Sequence, residues 1–272
     1  MTLANTAPAA AETRQPVMSM HGITKRFGAV QALSGVDFDV HAGEVVAIVG
    51  DNGAGKSTFV KILSGVYTPD EGTIRFEGQD VDVPNPSAAR SLGIATVFQD
   101  LALADNLDVV SNLFLGREIS HGVVMDEEAM EARAWELLRQ LAARIPSVRI
   151  PIASLSGGQR QTVAIARSLV GDPKIVILDE PTAALGVAQT AEVLNLVERL
   201  RENGLAVVLI SHNLADVQAV ADRVVVLRLG ANNGTFQIQD VSYEQIIAAI
   251  TGASDNAVTR RAASVSTRET ES

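Results

Sequence analysis

Hydrophobic and polar positions follow two patterns that take turns along the chain. Short aliphatic runs at residues 44–49, 175–178, 205–210 and 224–229 read as strands buried on both faces. Between them, apolar residues recur at helical spacing. Met130, Ala134, Leu137, Leu138 and Leu141 share one helical face, entered through Asp126 as N-cap. Val193, Leu196, Val197 and Leu200 repeat in the same way, and Asn203 with Gly204 closes that helix. Residues 56–63 read as a helix that stops before Gly65, and 73–76 as an edge hairpin strand between turns at 70–72 and 77–78. Buried strands alternating with amphipathic helices predict an α/β fold with a mainly parallel sheet. From about 101 to 169 there are helix signals and no convincing strand, which predicts a helical subdomain inserted into the strand order.

Composition narrows this picture. Residues 1–16 are rich in Ala, Thr and Pro, and 254–272 in Ser, Thr and Ala, so both ends read as disordered, the second from about 253, around a body at 17–252. Each tail is electrically neutral, which places the whole net charge of −10 on the body. An acidic body argues against nucleic acid as a partner, because that affinity rests on neutralising phosphates. The chain has no cysteine, so disulfides and thiolate metal sites are excluded. No apolar run approaches the roughly 18 residues of a membrane span, and residues 1–16 lack the apolar centre of a secretory signal. The expectation is a soluble chain, or one held at a membrane only through a partner.

Three motifs carry chemistry. Gly50, Asp51, Asn52, Gly53, Ala54, Gly55, Lys56, Ser57 and Thr58 fit G-x-x-x-x-G-K-[ST] between a predicted strand and a predicted helix. Glycines let such a loop turn its amides inward around phosphate oxygens, and the following helix adds its positive end. Lys56 then meets the outer phosphates, and the Ser57 hydroxyl suits Mg²⁺. Second, the apolar run 175–178 ends in Asp179 and Glu180, one acid for a magnesium shell and one to polarise an attacking water. Third, Ser156, Gly157, Gly158 and Gln159 follow Leu155. Ser156 and Gln159 have capping-box spacing, and the paired glycines leave helix-end amides open to an anion.

With Leu155–Gln159 lying between the phosphate loop and the acid-ended run, the three motifs resemble the nucleotide-binding family of ABC transporters, and the resemblance extends over 17–252. It implies a P-loop NTPase core with an N-terminal antiparallel β subdomain and an inserted α-helical subdomain, binding ATP and Mg²⁺. It implies that Phe27 stacks on adenine and that Gln99 senses magnesium and water beside the membrane partner. His212 becomes the residue that contacts the γ-phosphate, and Ser156, Gly157, Gly158 and Gln159 cover the ATP held by a second copy of the chain. The metal shell is then Ser57, Gln99 and Asp179, and the catalytic set is Glu180, His212 and Gln99. The implied partners are a second copy in a homodimer, transmembrane permease subunits and, indirectly, a periplasmic solute-binding protein. The implied place is peripheral, on the cytoplasmic face of the inner membrane. Residues 183–186, 222–230 and 246–252 look like the single-cassette branch of bacterial monosaccharide importers of the fructose and ribose types. Gly186 stands where the family usually has Asp after Ala-Leu, which bears on coupling between two sites rather than on nucleotide binding. The competing readings are a soluble ABC ATPase acting on ribosomes or DNA and a non-catalytic regulatory cassette. A single cassette, the absence of sustained heptads and the acidic charge weigh against the first; intact Lys56, Asp179, Glu180 and His212 weigh against the second.

Overall fold

The computed structural model describes residues 15–253. The predicted disordered ends therefore lie outside the described residues, apart from Gln15, Pro16 and Ala253. The body opens with two long strands, β1 (Met18–Phe27) and β2 (Val30–Val40), followed by the short buried β3 (Val45–Val49) and helix α1 (Lys56–Leu63). Next come β4 (Glu71–Phe76), β5 (Gln79–Asp80), α2 (Pro86–Ser91) and β6 (Ile94–Val97). An excursion follows with α3 (Val109–Phe114), β7 (Ser120–His121), β8 (Val124–Met125), α4 (Glu127–Gln140) and α5 (Gly157–Ser168). The chain then returns through β9 (Ile175–Asp179), α6 (Val187–Glu202), β10 (Ala206–Ile210), α7 (Leu214–Val220), β11 (Arg223–Arg228), β12 (Ala231–Gln237) and α8 (Tyr243–Thr251).

Two main sheets organise these elements. The larger has the order β12-β11-β3-β10-β9-β6. Every pairing from β11 to β6 is parallel, and only β12 runs against its neighbour. The smaller is antiparallel, in the order β2-β1-β4-β5. Side chains along a strand alternate between faces, so each parallel strand feeds two cores. Val45, Ala47 and Val49 join Val176, Leu178, Val207 and Leu209 against the helical excursion, α6 and α7. Val46 and Ile48 join Ile175, Ile177, Val208 and Ile210 against α1 and the antiparallel sheet. Burial on both faces explains why these strands are unbroken aliphatic runs in the sequence. Arg223 fastens one sheet to the other, donating to the carboxylates of Asp39 and Glu44.

The predicted fold class agrees with this architecture, and Asp126 caps α4 through the Ala129 amide at 2.9 Å. Two local expectations need correction. The stretch from 101 to 169 contains a strand pair, β7 with β8, whose two-residue length gives no alternation to read. The strand expected at 73–76 starts at Glu71 and is not an edge, since β1 lies on one side and β5 on the other. Within the excursion, fully buried Asn112 accepts from the Ala104 amide and donates to the carbonyls of Ala104, Leu107 and Asp108. One side chain thus satisfies the backbone of the loop that leads away from β6.

Candidate nucleotide site at the sheet edge

Strand register brings the motifs together. Ile48 of β3 and Asp179 of β9 both pair with Ile210 of β10, and Leu178 pairs with Val97 of β6. The residues just past these positions are Gly50, Glu180, His212 and Gln99. Four adjacent parallel strands therefore deliver all of them to one edge of the sheet, the edge where α/β folds hold ligands.

Glycine is required at two points of the loop after β3. At Gly50 (φ 154°) a Cβ would lie 2.2 Å from the Leu227 carbonyl oxygen, and at Gly55 (φ 103°) one would lie 2.8 Å from that of Ala32. Asp51, Asn52 and Gly53 are exposed at the turn, and Ala54 is buried beneath it. Gly55 caps α1 with no side chain and no acid follows in the first turn, so the amides entering Lys56, Ser57 and Thr58 are uncovered by the helix's own residues. The Lys56 ammonium folds back onto the carbonyls of Gly50 and Asp51, at 2.6 and 3.1 Å. Burial lowers its pKa from the ordinary lysine value, against the opposing pull of Glu180, Asp51 and Asp179.

Opposite the loop, burial raises the pKa of Asp179 above the ordinary carboxyl value. Glu180 adds to that rise, and Lys56 and Lys61 offset part of it. Glu180 has a left-handed backbone (φ 51°), a conformation that costs a non-glycine residue of the order of 1 kcal/mol. Its amide donates to the Ile210 carbonyl at 3.0 Å, which ties the turn after β9 to the end of β10. Its carboxylate lies 2.7 Å from Nδ1 of His212. A carboxylate only accepts, so with Glu180 ionised Nδ1 is the donor of this pair and Nε2 is left for another partner. The His212 side chain is 71% exposed while that of Glu180 is 15% exposed, so the imidazole is placed by its backbone turn rather than by packing.

Asp179, Ser57 and Gln99 offer a carboxylate, a hydroxyl and an amide oxygen, the hard donors that Mg²⁺ takes. A half-buried carboxyl whose ionised form is disfavoured is also one that gains from a cation. Among the described residues no three His, Asp or Glu side chains converge as a metal site, so an ion here would need nucleotide oxygens to complete its shell. The residues present fit that arrangement.

Phe27 stands at the end of β1, 42% exposed, with Tyr67 packed edge-on at 5.1 Å and the Lys25 ammonium 5.7 Å from its ring. A solvent-facing aromatic braced in this way can stack on a purine. Tyr67, which the sequence reading passed over, follows α1 by four residues, within a stretch that offers no periodic signal. Thr182 and Asp216 were also passed over, and nothing in their spacing marks them.

The third motif behaves differently. Ser156 and Gln159 make the reciprocal capping box at the start of α5, at 3.0 and 3.3 Å, and Gln159 also donates to the Arg144 carbonyl. Gly157 and Gly158 let that tip approach Leu185, just ahead of α6, and Gln189 within it, where added Cβ atoms would lie at 3.1 and 3.2 Å. Among the described residues no hydrogen bond or ion pair joins Ser156–Gln159 to the phosphate loop. Gly186 begins α6 with an ordinary extended backbone (φ −74°, ψ 164°) and open space where a Cβ would sit.

Comparison with known proteins follows the same lines. The ABC transporter family matches residues 33–183. The chain is 44% identical over 250 residues to the fructose import ATP-binding protein FrcA of Rhizobium meliloti, covering 89% of this chain and 96% of that one. It is 45% identical over 214 residues to the xylose/arabinose import ATP-binding protein XylG of Sulfolobus acidocaldarius, covering 79% and 85%. Among solved structures it resembles the dimeric structure of a post-hydrolysis state of an ATP-binding cassette bound to ADP and Pi. There the TM-score is 0.69 at 27% identity, covering 81% of this chain and 98% of that one.

Proposed function

The chain belongs to the ABC transporter family, and on that premise we propose that it is the ATP-hydrolysing subunit of an importer that energises uptake of a monosaccharide. The observation that carries the hydrolysis reading is the convergence of Lys56, Asp179, Glu180 and His212 on one sheet edge, with Glu180 and His212 in contact. The support for a sugar is the naming of relatives at 44% and 45% identity.

On that reading we assign the residue roles. Gly50, Asp51, Asn52, Gly53, Ala54 and Gly55 wrap the phosphates with backbone amides, Thr58 continues that turn into α1, and Lys56 neutralises the outer phosphates. Phe27 stacks on the adenine. Ser57, Asp179 and Gln99 would hold Mg²⁺, which when bound would offset charge on the phosphates. Glu180 polarises a water for in-line attack on the γ-phosphorus; the bond to the bridging oxygen breaks, and ADP and phosphate leave. His212 holds Glu180 through Nδ1 and presents Nε2 towards the reacting phosphate.

Because the Ser156–Gln159 tip is not joined to the phosphate loop in its own chain, we place it over the ATP of a second copy, in a two-fold pair with two composite sites. No helix among the described residues is long and apolar enough to cross a membrane; on the importer reading a separate permease carries the solute, with this chain peripheral to the cytoplasmic face. The face near Gln99 has a cavity of about 320 Å³ lined by Val66, Phe98, Arg90 and Arg117. Burial and the neighbouring Arg90 depress the pKa of Arg117. A permease segment carrying apolar and acidic side chains suits that face. In cells that make only this ATPase for the system, its deletion should abolish uptake of one labelled sugar among fructose, xylose, arabinose and ribose. Unchanged uptake of all four would contradict the sugar reading.

A further inference from the structure

The imidazole of His212 is largely exposed, yet it meets Glu180 at 2.7 Å. Something must place its turn. The contacts inside that turn fix only its internal shape: the Asn213 amide donates to Ser211 Oγ at 3.0 Å, and Asn213 Oδ1 accepts from the Ala215 amide at 3.1 Å. Buried Leu214 and Val217 seat α7 in the core beside α6, and the Glu180 amide donates to the Ile210 carbonyl, one residue ahead of the turn. One side-chain bridge also reaches that turn. Asp216, only 6% exposed, accepts from the Thr182 hydroxyl at 2.6 Å with one oxygen and from Asn213 Nδ2 at 3.0 Å with the other.

These contacts close a ring. Glu180 touches His212; His212 precedes Asn213; Asn213 meets Asp216; Asp216 meets Thr182; and Thr182 follows Glu180 by two residues. A carboxylate is costly to bury, and among the described residues this one forms no ion pair. Its two neutral donors both come from the segments that carry the water-polarising acid and the histidine. We propose that Asp216, bridging Thr182 and Asn213, is a positioning residue that holds His212 on Glu180 for the hydrolytic step. The inference rests on the hydrolysis reading above. It predicts that loss of the bridge slows chemistry and leaves nucleotide binding alone, because neither Thr182 nor Asp216 belongs to the phosphate loop.

The experiment measures single-turnover hydrolysis and ATP affinity for Asp216→Asn, Thr182→Val and Thr182→Ser in the full chain, each also made in a His212→Ala background, with thermal melting to establish that each variant folds. Asp216→Asn and Thr182→Val should each slow hydrolysis about tenfold with ATP affinity within about twofold, and Thr182→Ser should restore most of the rate. In the His212→Ala background the same substitutions should add nothing, since they act through the missing imidazole. An undiminished rate in folded Asp216→Asn and Thr182→Val would overturn the proposal, as would a full further tenfold loss on top of His212→Ala. A Glu180→Gln chain run alongside separates the two levels. If it turns over normally, the hydrolysis reading itself fails; if it is inactive while Asp216→Asn is undiminished, only the positioning role fails.

Discussion

At the C-terminal edge of the parallel sheet, the reactive side chains arrive from the ends of separate strands. At the start of α5, the proposed binding tip is made by four consecutive residues. The first region exists only because β3, β10, β9 and β6 lie side by side in register, which brings Lys56, Asp179, Glu180, His212 and Gln99 together. The second is local: Ser156 and Gln159 satisfy each other's backbone, and two glycines let the helix end pack close to Leu185 and Gln189. On the proposed reading the sheet edge has the groups to activate water but no cover over the nucleotide. The helix tip has donors for an anion and no catalytic group. Each is half of a site on that reading, which is why the reading needs a second copy of the chain.

The largest expected effect belongs to the sheet edge alone. Glu180→Gln should reduce phosphate release by about 10³-fold, within the range for loss of a general base, while calorimetry finds ATP affinity within a few-fold of the parent. Near-parental turnover would remove Glu180 from the chemistry and blur the contrast between the two regions. A second pair of variants sharpens the contrast. Lys56→Ala should weaken ATP binding by the isolated chain about 100-fold, the loss of a charge-assisted contact to phosphate. Gly157→Asp should leave that affinity unchanged and still abolish hydrolysis. Equal losses of affinity in both would mean that the tip binds the nucleotide of its own chain.

A smaller effect concerns stability. Asp179 takes up a proton more readily in the folded chain than in the unfolded one, because burial and Glu180 disfavour its charge. Stability therefore falls as pH rises from the unfolded carboxyl value through the higher folded one, and above that range the charge on Asp179 is a net cost in the nucleotide-free protein. Asp179→Asn should raise the melting temperature of the nucleotide-free chain by about 2 °C at pH 7 and lose the Mg²⁺ dependence of ATP binding. A lower melting temperature would contradict the assigned cause. The smallest effect is at Gly186, which caps α6 without a side chain. Gly186→Asp has room and a suitable backbone, and should stabilise the fold by a few tenths of a kcal/mol, read as a small shift in denaturant midpoint.

Legibility in the sequence divides along the same line. The buried strands were readable because both faces are apolar, as in 175–178 and 205–210. The loop at Gly50, the acids at 179 and 180 and the Ser156 cap are continuous in sequence and were found as motifs. Strands β1 and β2 were not individually readable. Their pairing slips between Met20 and Ile23 and again before Lys25 and Arg26, and each irregularity breaks the period-two pattern. Strand β12, Ala-Asn-Asn-Gly-Thr-Phe-Gln, is a mostly polar edge that reads as a turn. Tyr67 beside Phe27, and the bridge from Thr182 to Asp216, are contacts between distant segments, for which one sequence carries no signal.

The account depends most on two half-sites meeting between copies, and mixing two defective chains tests this directly. Lys56→Ala lacks a working phosphate loop and keeps its helix tip; Gly157→Asp is the reverse. In a mixed pair one composite site unites an intact loop with an intact tip. Each variant alone should be inactive, and combining them should restore ATP hydrolysis. A mixture that stays as inactive as its components would contradict the account.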